Sequence, residues 1–297
     1  MEEENLEGVR ILREKRKSRK GKYAVGDFHL AGIVPITGEK LDFNMPWHDS
    51  LMPVGQDYLA VEHAVYECAC AGVNTIWVVC KEGTTPLIRH RLGDWINDPV
   101  EVDAIAKNPR TTSTTVRRIP IYYVKIKPID FERRESLGWS TLVGAINSFR
   151  MSFRVSKWLI PDKYFVSFPY GIYDANILRK KRHMLRSSKP YVITYEGKSV
   201  ADGLHTAFTF DRDVFVYARR EVRKYKTELD EIFKSVTMDE PTHIELPWYH
   251  QVDNWESYRN YLASEEQVSK HMENANGILT FQKKESQRSF TGVGSET

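Results

Sequence analysis

The chain has 297 residues, of which 41% are hydrophobic and 28% are charged, and its formal net charge is +3. A chain of this length and apolar content can bury a sizeable core, and its near-balanced charge excludes a wholly disordered protein. No segment approaches the roughly 20 consecutive apolar residues that a membrane span requires. We therefore expect no membrane partner and a location in the cytoplasm, or in the host cytoplasm if the protein is viral.

Residues 1–23 are predicted to be a charged N-terminal arm, because the segment RILREKRKSRKGK at positions 10–22 is strongly basic. A basic run can bind phosphates, but at a chain end it is more commonly solvated. It also lacks the interleaved aromatic residues that a single-strand binder uses, so the sequence argues against nucleic acid as a partner. The 3 cysteines, Cys68, Cys70 and Cys80, are too few for a disulfide framework.

The first part of the chain predicts a strand–helix–strand unit. The apolar run Phe28–Ile36 is typical of a buried strand. Apolar residues at three- and four-residue spacing in Tyr58–Ala71 predict a helix with one buried face, and Gly72 is placed to end it. Thr75–Cys80 is a second strand, so these elements predict a βαβ unit with a parallel strand pair.

The alternation of strands and helices continues along the chain. Further strands are predicted at Ile119–Ile126, Tyr164–Phe168, Tyr191–Tyr195, Thr206–Phe210 and, at a sheet edge, His243–Leu246. Further helices are predicted at Pro86–Trp95, Thr141–Val155, Ala175–Arg186, within Val214–Val236 and at Trp255–Leu262, whereas Asn97–Arg118 is expected to be a loop or insertion. The pattern predicts one three-layer, Rossmann-like α/β domain at residues 24–262 with a mixed, mostly parallel sheet. A C-terminal helix and flexible tail are expected at 263–297.

Several segments, read in their order, carry a family resemblance. AGIVPITGEKL (31–41), WHDSLMPVG (47–55) and AGVNTIWVV (71–79) surround the first predicted helix. GWS at 138–140 leads into VGAI at 143–146, and YFVSFPYGIYD (164–174) and PWYHQVDNWESYRNYL (247–262) follow. Together they resemble the sugar-nucleotide nucleotidyltransferases from about residue 28 to 262, a family with a nucleotidyltransferase or GT-A-like fold.

The resemblance implies transfer of a nucleoside monophosphate from a nucleoside triphosphate to a sugar phosphate, with release of pyrophosphate. A nucleoside triphosphate and a sugar phosphate would be the partners and Mg²⁺ the cofactor, because the charge that develops on phosphate oxygens must be neutralised. The implied site residues are Gly38, Lys40, Gly138 and Ser140 for nucleotide binding, Lys40 also as the catalytic cation, and Asp174 and Asp253 for the metal. The sequence leaves formation of a homo-oligomer open.

The chain departs from the family pattern in its opening loop and at two dipeptides. Only Gly38 remains of several loop glycines that let the family's backbone approach phosphate. His48-Asp49 replaces a Pro-Lys dipeptide, which puts an anion where a phosphate should bind. Pro169-Tyr170 replaces a Gly-Asp turn, so a metal-binding carboxylate is missing there and Asp174 is the nearest replacement.

Each candidate residue also has a purely structural interpretation. Gly38 can be a turn residue and Lys40 a surface charge. A carboxylate that precedes a helix can cap it, and a small residue there can simply start it. That interpretation applies to Asp174, Asp253, Gly138 and Ser140.

Two alternative functions stay open on sequence grounds. A glycosyltransferase of the same fold would use an Asp-x-Asp pair near the middle strand, and the spacing occurs here only at Asp211-Arg212-Asp213, late in the chain. A catalytically inactive nucleotidyltransferase-like protein would serve as a binding or structural module, and the altered loop and dipeptides favour it. In each case we expect the site at the carboxyl ends of the strands, with Gly38, Ser140, Tyr170 and Asp253 around it.

Overall fold

The computed structural model describes residues 28–38, 41, 43–107, 116–126, 136–155, 160–211, 215 and 241–268. The strands are β1 Leu30–Pro35, β2 Pro53–Gly55, β3 Tyr58–Leu59, β4 Thr75–Lys81, β5 Trp95–Asn97, β6 Arg118–Ile126, β7 Lys163–Val166, β8 Gly171–Ile172, β9 Tyr191–Thr194, β10 Phe208–Asp211, β11 Thr242–Glu245 and β12 His250–Gln251. The α-helices are α1 Ala60–Ala71, α2 Thr85–Leu92, α3 Pro99–Lys107, α4 Leu137–Val155, α5 Asn176–Leu185 and α6 Trp255–Ala263. Within these described ranges, no helix has the length and apolar content to cross a lipid bilayer.

One eight-stranded sheet organises the fold, in the order β11-β9-β10-β7-β1-β4-β6-β5. The central strands β7, β1, β4 and β6 are parallel, whereas β10 and β5 run antiparallel to their neighbours. The predicted mixed, mostly parallel sheet is confirmed, and β11 lies at the predicted edge. Two short ribbons, β2 with β3 and β8 with β12, lie outside this sheet.

The predicted βαβ unit consists of β1, α1 and β4. Every residue of β1 is buried, as expected for a strand covered on both faces. Its parallel register with β4 runs from Ala31 beside Thr75 to Pro35 beside Val79. Gly72 ends α1 with a φ of 83°, a left-handed conformation that glycine adopts without strain.

Helices cover both faces of the sheet, which gives the three predicted layers. Helices α1 and α5 lie on one face, where the core includes Val34, Val65, Cys68 and Leu178. Helix α4 lies on the other, where the core includes Ile33, Val79, Leu142 and Ala145. Gly144 brings α4 close to the sheet, since a Cβ there would lie 2.7 Å from Cγ2 of Ile33.

Two predicted helix boundaries were wrong because local caps move them. Helix α1 begins at Ala60, not Tyr58, because the N–H of Leu59 donates to the Glu62 carboxylate and residues 58–59 form β3. Helix α2 ends at Leu92, because Gly93 has a φ of 76° and the chain turns into β5.

The expected loop Asn97–Arg118 was also wrong in part, because it contains α3. Oδ1 of Asp98 accepts from the N–H of Val100 at 3.1 Å, and Pro99 occupies the first helical position. This pair is a helix-start signal that the sequence displays. The charged arm 1–23, most of Val214–Val236 and residues 269–297 lie outside the described residues.

Candidate functional site

The carboxyl edge of the sheet is formed by the ends of β1, β4 and β7 and by the residues that follow them, namely 36–38, 82–84 and 167–170. Hydrogen bonds hold the chain together just beyond the strands: the N–H of Ile36 donates to the Val79 carbonyl at 3.1 Å, and that of Ser167 donates to Ile33 at 3.1 Å. Ligands of open α/β sheets bind at this edge. The candidate site is therefore built from these loops.

Gly38 lies directly against the start of α4. Its φ is 104°, and a Cβ added to it would lie 2.3 Å from the backbone carbonyl carbon of Ser136. A side chain is excluded by both the conformation and the contact. The loop after β1 therefore meets the helix backbone to backbone, which is more than an ordinary turn requires.

Ser140 fixes the same contact from within α4. Its hydroxyl donates to the Thr37 carbonyl at 2.5 Å, and the two side-chain oxygens of Ser140 and Thr37 lie 2.9 Å apart. Both residues are 1% exposed, so their polar atoms satisfy each other inside the protein. Gly38 and Ser140 are thus brought together, with the Ser140 side chain turned to the loop.

Helix α4 begins at Leu137 and not at the predicted Thr141. Oγ of Ser136 accepts from the N–H of Trp139 at 3.1 Å and caps the first turn. Gly138 and Ser140 consequently lie inside that turn, as the helix-start interpretation expected. Lys40, the predicted catalytic cation, lies outside the described residues.

His48-Asp49 forms a 3₁₀ turn at this edge. Nδ1 of His48 accepts from the N–H of Ser50 at 3.2 Å. Burial, and then the positive charge of Lys81, lower the pKa of His48 to about 4. Burial raises the pKa of Asp49 above its ordinary value. The imidazole is therefore neutral near pH 7, and this dipeptide supplies no positive charge.

Tyr170 connects the loop after β1 to the segment that carries Asp253. Its side chain is 2% exposed, and its hydroxyl oxygen lies 3.5 Å from the Ile36 carbonyl oxygen. Its own carbonyl accepts from the N–H of Val252 at 2.8 Å. The carboxyl edge therefore brings together Gly38, Ser140, Tyr170 and the chain leading into Asp253.

Asp253 and Asp174 lie at opposite ends of the β8–β12 ribbon. Gly171 pairs with Gln251 and Ile172 with His250, so Asp253 follows one end of the ribbon and Asp174 follows the other. Among the residues that the structure describes, no group of three or more His, Cys, Asp or Glu side chains is placed to hold a metal ion. The structure does not bring the two predicted metal ligands together.

Each aspartate contributes to a helix start. Oδ1 of Asp174 accepts from the backbone and side-chain N–H groups of Asn176, both at 2.9 Å, at the beginning of α5. Oδ1 of Asp253 accepts from the Ser257 hydroxyl at 2.9 Å and from the Asn254 side chain at 2.8 Å. Asn254 is the N-cap of α6. Asp174 thus binds the first residue of α5, whose N-cap is Ala175, and Asp253 supports a cap formed by its neighbour.

A buried polar network beneath β7 was missed at the level of sequence. The Glu67 carboxylate is fully buried and accepts from Ser167 at 2.6 Å and from the Tyr173 hydroxyl at 2.7 Å. Nε2 of His63 lies 3.0 Å from it. The sequence does contain a signal for this network, because a His and a Glu lie four residues apart on the apolar face of α1. The network holds the segment between β7 and α5, which carries Tyr170.

Comparisons with known proteins find similarity in structure and not in sequence. No family model and no curated protein matches the chain. A Bacillus anthracis protein assigned as a glucose-1-phosphate thymidylyltransferase, in complex with sucrose, aligns with a TM-score of 0.55 at 13% identity, over 81% of this chain and 98% of its own. UDP-glucose pyrophosphorylase from Acinetobacter baumannii aligns with a TM-score of 0.50, and its UTP-bound form with 0.52, both at 11% identity over 79% of this chain and 92% of their own.

These similarities establish the fold. The chain has the α/β fold of sugar-nucleotide nucleotidyltransferases, so the predicted resemblance is confirmed at the level of the fold. The structural neighbours are sugar-phosphate nucleotidyltransferases, and one of them is bound to UTP.

Proposed function

We propose that this protein transfers a nucleoside monophosphate from a nucleoside triphosphate to a sugar phosphate and releases pyrophosphate. The observation that carries the proposal is the contact between the Gly38 loop and the first turn of α4 at the carboxyl edge. Neighbours of the same fold, one of them a UTP complex, support this chemistry.

The main chain would do most of the nucleotide binding. Gly38 has no side chain, so the loop after β1 packs directly against the start of α4, and main-chain N–H groups of both segments would face the same ligand. The N-terminal turn of α4, which contains Gly138 and Ser140, directs N–H groups and the positive end of a 19-residue helix toward the same edge. Ser140 acts here as a positioning residue, because its hydrogen bond to the Thr37 carbonyl holds the Gly38 loop against α4. Lys40 would add the positive charge that neutralises the triphosphate.

Asp253 is the carboxylate that we assign first to Mg²⁺. Mg²⁺ in phosphoryl-transfer sites commonly takes one or two carboxylates and completes its coordination with phosphates and water. When bound, it would supply neutralisation of charge on the triphosphate. The hydrogen bonds from Ser257 and Asn254 orient Asp253 for this role. Asp174 is kept as the second assigned ligand, although a shared ion would require the ends of the β8–β12 ribbon to approach each other.

The second candidate function is nucleotide or structural binding without catalysis. It is favoured by Tyr170, which stands at the family's metal position with its side chain buried. A glycosyltransferase is less well supported, because Asp211 pairs with Lys163 at the amino end of β7, away from the carboxyl edge. Asp213 lies outside the described residues.

The deciding experiment measures pyrophosphate release from UTP, dTTP, CTP, ATP and GTP with glucose 1-phosphate and other sugar phosphates in the presence of Mg²⁺. We expect release by the wild-type protein with at least one pair. Asp253→Asn should lower that rate by about a hundred- to a thousandfold, the effect of losing one major electrostatic contact to the transition state. The melting temperature without metal should stay the same, because Asn keeps the shape of the side chain.

Glu256→Gln is the matched control, because Glu256 is exposed in the first turn of α6, three residues from Asp253. It should keep the wild-type rate. If the wild-type protein binds a triphosphate but releases no pyrophosphate with any acceptor, the second candidate function replaces the first.

A further inference from the structure

The carboxyl edge lacks the positive charge that a Pro-Lys dipeptide would provide. His48 is neutral near pH 7 and serves as a cap, and Asp49 follows it. A triphosphate nevertheless carries several negative charges, which backbone N–H groups alone neutralise only in part. Lys40 of the loop after β1 supplies one positive charge in the proposed function, and a second cation at this edge would neutralise the triphosphate more fully.

Lys81 is the last residue of β4 and extends past the end of β1. The parallel register of β1 and β4 stops at Pro35 beside Val79, whereas β4 continues to pair with β6 as far as Lys81 beside Ile126. Lys81 is thus two residues beyond the end of β1, at the level of the loop that contains Gly38. Its strand position alone places it at the carboxyl edge.

The side chain of Lys81 belongs to the face of the sheet that α4 covers. Alternate residues of β4 share a face, and Trp77 and Val79 lie in the core on the α4 side. Ile126, the register partner of Lys81, lies in that same core. The first turn of α4, against which Gly38 packs, begins on this same side of the sheet.

The backbone of Lys81 is fixed by the turn that follows it. Its carbonyl accepts from the Thr85 hydroxyl at 2.7 Å and from the N–H of Thr84 at 3.2 Å. Lys81 is half-buried. The positive charge is near enough to His48 to contribute to the lowered pKa of that imidazole. A lysine ammonium binds a phosphate group as a point charge, and the main chain of Lys81 is held in place for that contact.

We propose that Lys81 is a second phosphate-binding cation of this site, in addition to Lys40, and takes the place of the lysine missing from His48-Asp49. The inference rests on the proposed function. The ligand is the triphosphate of the incoming nucleotide, held between Lys81, the Gly38 loop and the N-terminal turn of α4.

The test compares Lys81→Gln, Lys81→Arg and Lys125→Gln by calorimetry with the nucleoside triphosphate from the panel that the wild-type protein binds best. Lys81→Gln should weaken that binding by about ten- to a hundredfold, the contribution of one charge-assisted contact. Lys81→Arg should restore most of it, because it keeps the charge. Binding of the corresponding nucleoside, measured by competition, should not change.

Lys125→Gln is the matched control. Lys125 is exposed on the neighbouring strand, pairs with Glu82 at 3.0 Å, and is the register partner of Cys80, so it lies on the opposite face of the sheet from Lys81. It should bind the triphosphate like the wild-type protein. In Lys81→Gln the NMR titration midpoint of His48 should also rise, because a neighbouring positive charge has been removed.

Three results would overturn the proposal. If Lys81→Gln binds the triphosphate as tightly as the wild-type protein, Lys81 is not its ligand, while the proposed function stands. If triphosphate and nucleoside binding fall together with the melting temperature in both Lys81 variants, the role of Lys81 is structural. If the wild-type protein binds none of the triphosphates and no inorganic tripolyphosphate, both the proposed function and the assignment of Lys81 are wrong.

Discussion

The two edges of the central sheet both concentrate polar residues, but they use them differently. At the amino edge, where the chain enters β1, β4 and β6, the side chains of Arg117, Arg182 and Arg186 converge on the end of α1. Their donors bind the Asp98 carboxylate and the main-chain carbonyls of Phe28, Gly72 and Val73. At the carboxyl edge, β4 ends in Lys81, and the loop after β1 packs against the start of α4.

The difference shows why charge by itself does not locate a site. At the amino edge the arginines stabilise the negative end of the α1 dipole and a buried carboxylate. These arginine charges are therefore paired within the folded protein and stabilise it. At the carboxyl edge, the described part of the chain instead places a glycine that must have no side chain against the start of a helix. The amino edge should therefore govern stability, and the carboxyl edge should govern ligand binding.

The largest expected effect tests the amino edge. Asp98→Asn removes a carboxylate whose side chain is 0% exposed and that pairs with Arg182 and Arg117, themselves 18% and 28% exposed. We expect a loss of about 3 kcal/mol in the free energy of unfolding, at the low end for breaking a buried pair because the arginines keep some contact with water. Urea unfolding measures it. Triphosphate binding by the folded fraction should not change.

The pH dependence of this pair has a defined sign. Burial would raise the pKa of Asp98, but its hydrogen bonds and charge interaction with Arg182 lower it overall. Its contribution is therefore fully present above the ordinary aspartate pKa of about 3.9 and is lost as the pH falls through the lowered value. Asp94→Asn is the control, because Asp94 and its partner Arg89 are 51% and 58% exposed and should contribute less than about 1 kcal/mol. Equal losses in the two variants would contradict the assignment.

A smaller effect tests the carboxyl edge through Lys40. Lys40→Ala should weaken triphosphate binding by about ten- to a hundredfold. The melting temperature should hardly move, since most substitutions of a single charged residue outside the core change stability little. Calorimetry and thermal unfolding measure the two quantities, with Lys180→Ala, an exposed lysine on α5, as the control. Unchanged binding would remove Lys40 from the site and leave Lys81 as the cation of this edge.

The sequence was sufficient for those parts of the fold that local pattern decides. The apolar run of β1, the amphipathic spacing of α1 and Gly72 were enough to predict the βαβ unit, because burial and helix capping act over a few residues. The start of α4 was placed too late because Ser136 was not recognised as its cap. The importance of Lys81 follows only from the register of β4 against β1 and β6, which no local pattern contains.

The candidate site was predictable in part for the same reason. Gly38 and Ser140 are about a hundred residues apart, and the order of family-like segments was enough to predict that both lie at the carboxyl edge. The separation of Asp174 from Asp253 could not be predicted, because it depends on how β8 pairs with β12. The network around Glu67 depends likewise on contacts between α1 and a segment that follows β7.

The smallest expected effect is at Ser140, a residue that we expect to affect both stability and ligand binding. Its hydroxyl donates to the Thr37 carbonyl at 2.5 Å inside the protein, and Thr37 precedes Gly38. Ser140→Ala leaves that buried carbonyl without its donor, so we expect a loss of about 1–2 kcal/mol in stability. Because the loop is then held less firmly, triphosphate binding should also weaken, by less than in Lys40→Ala.

Ser148→Ala is the control for this last variant, because the same helix carries both serines and Ser148 is equally buried. Within the described part of the chain, the Ser148 hydroxyl has no hydrogen-bond partner. Its removal should leave the free energy of unfolding unchanged or slightly higher, since a buried unsatisfied hydroxyl is itself unfavourable. Urea unfolding of both variants measures the difference between them, which isolates the bond to Thr37. If Ser140→Ala and Ser148→Ala have the same urea unfolding midpoint and the same nucleotide affinity, the loop after β1 does not depend on α4 for its position. The start of α4 would then not belong to the proposed site.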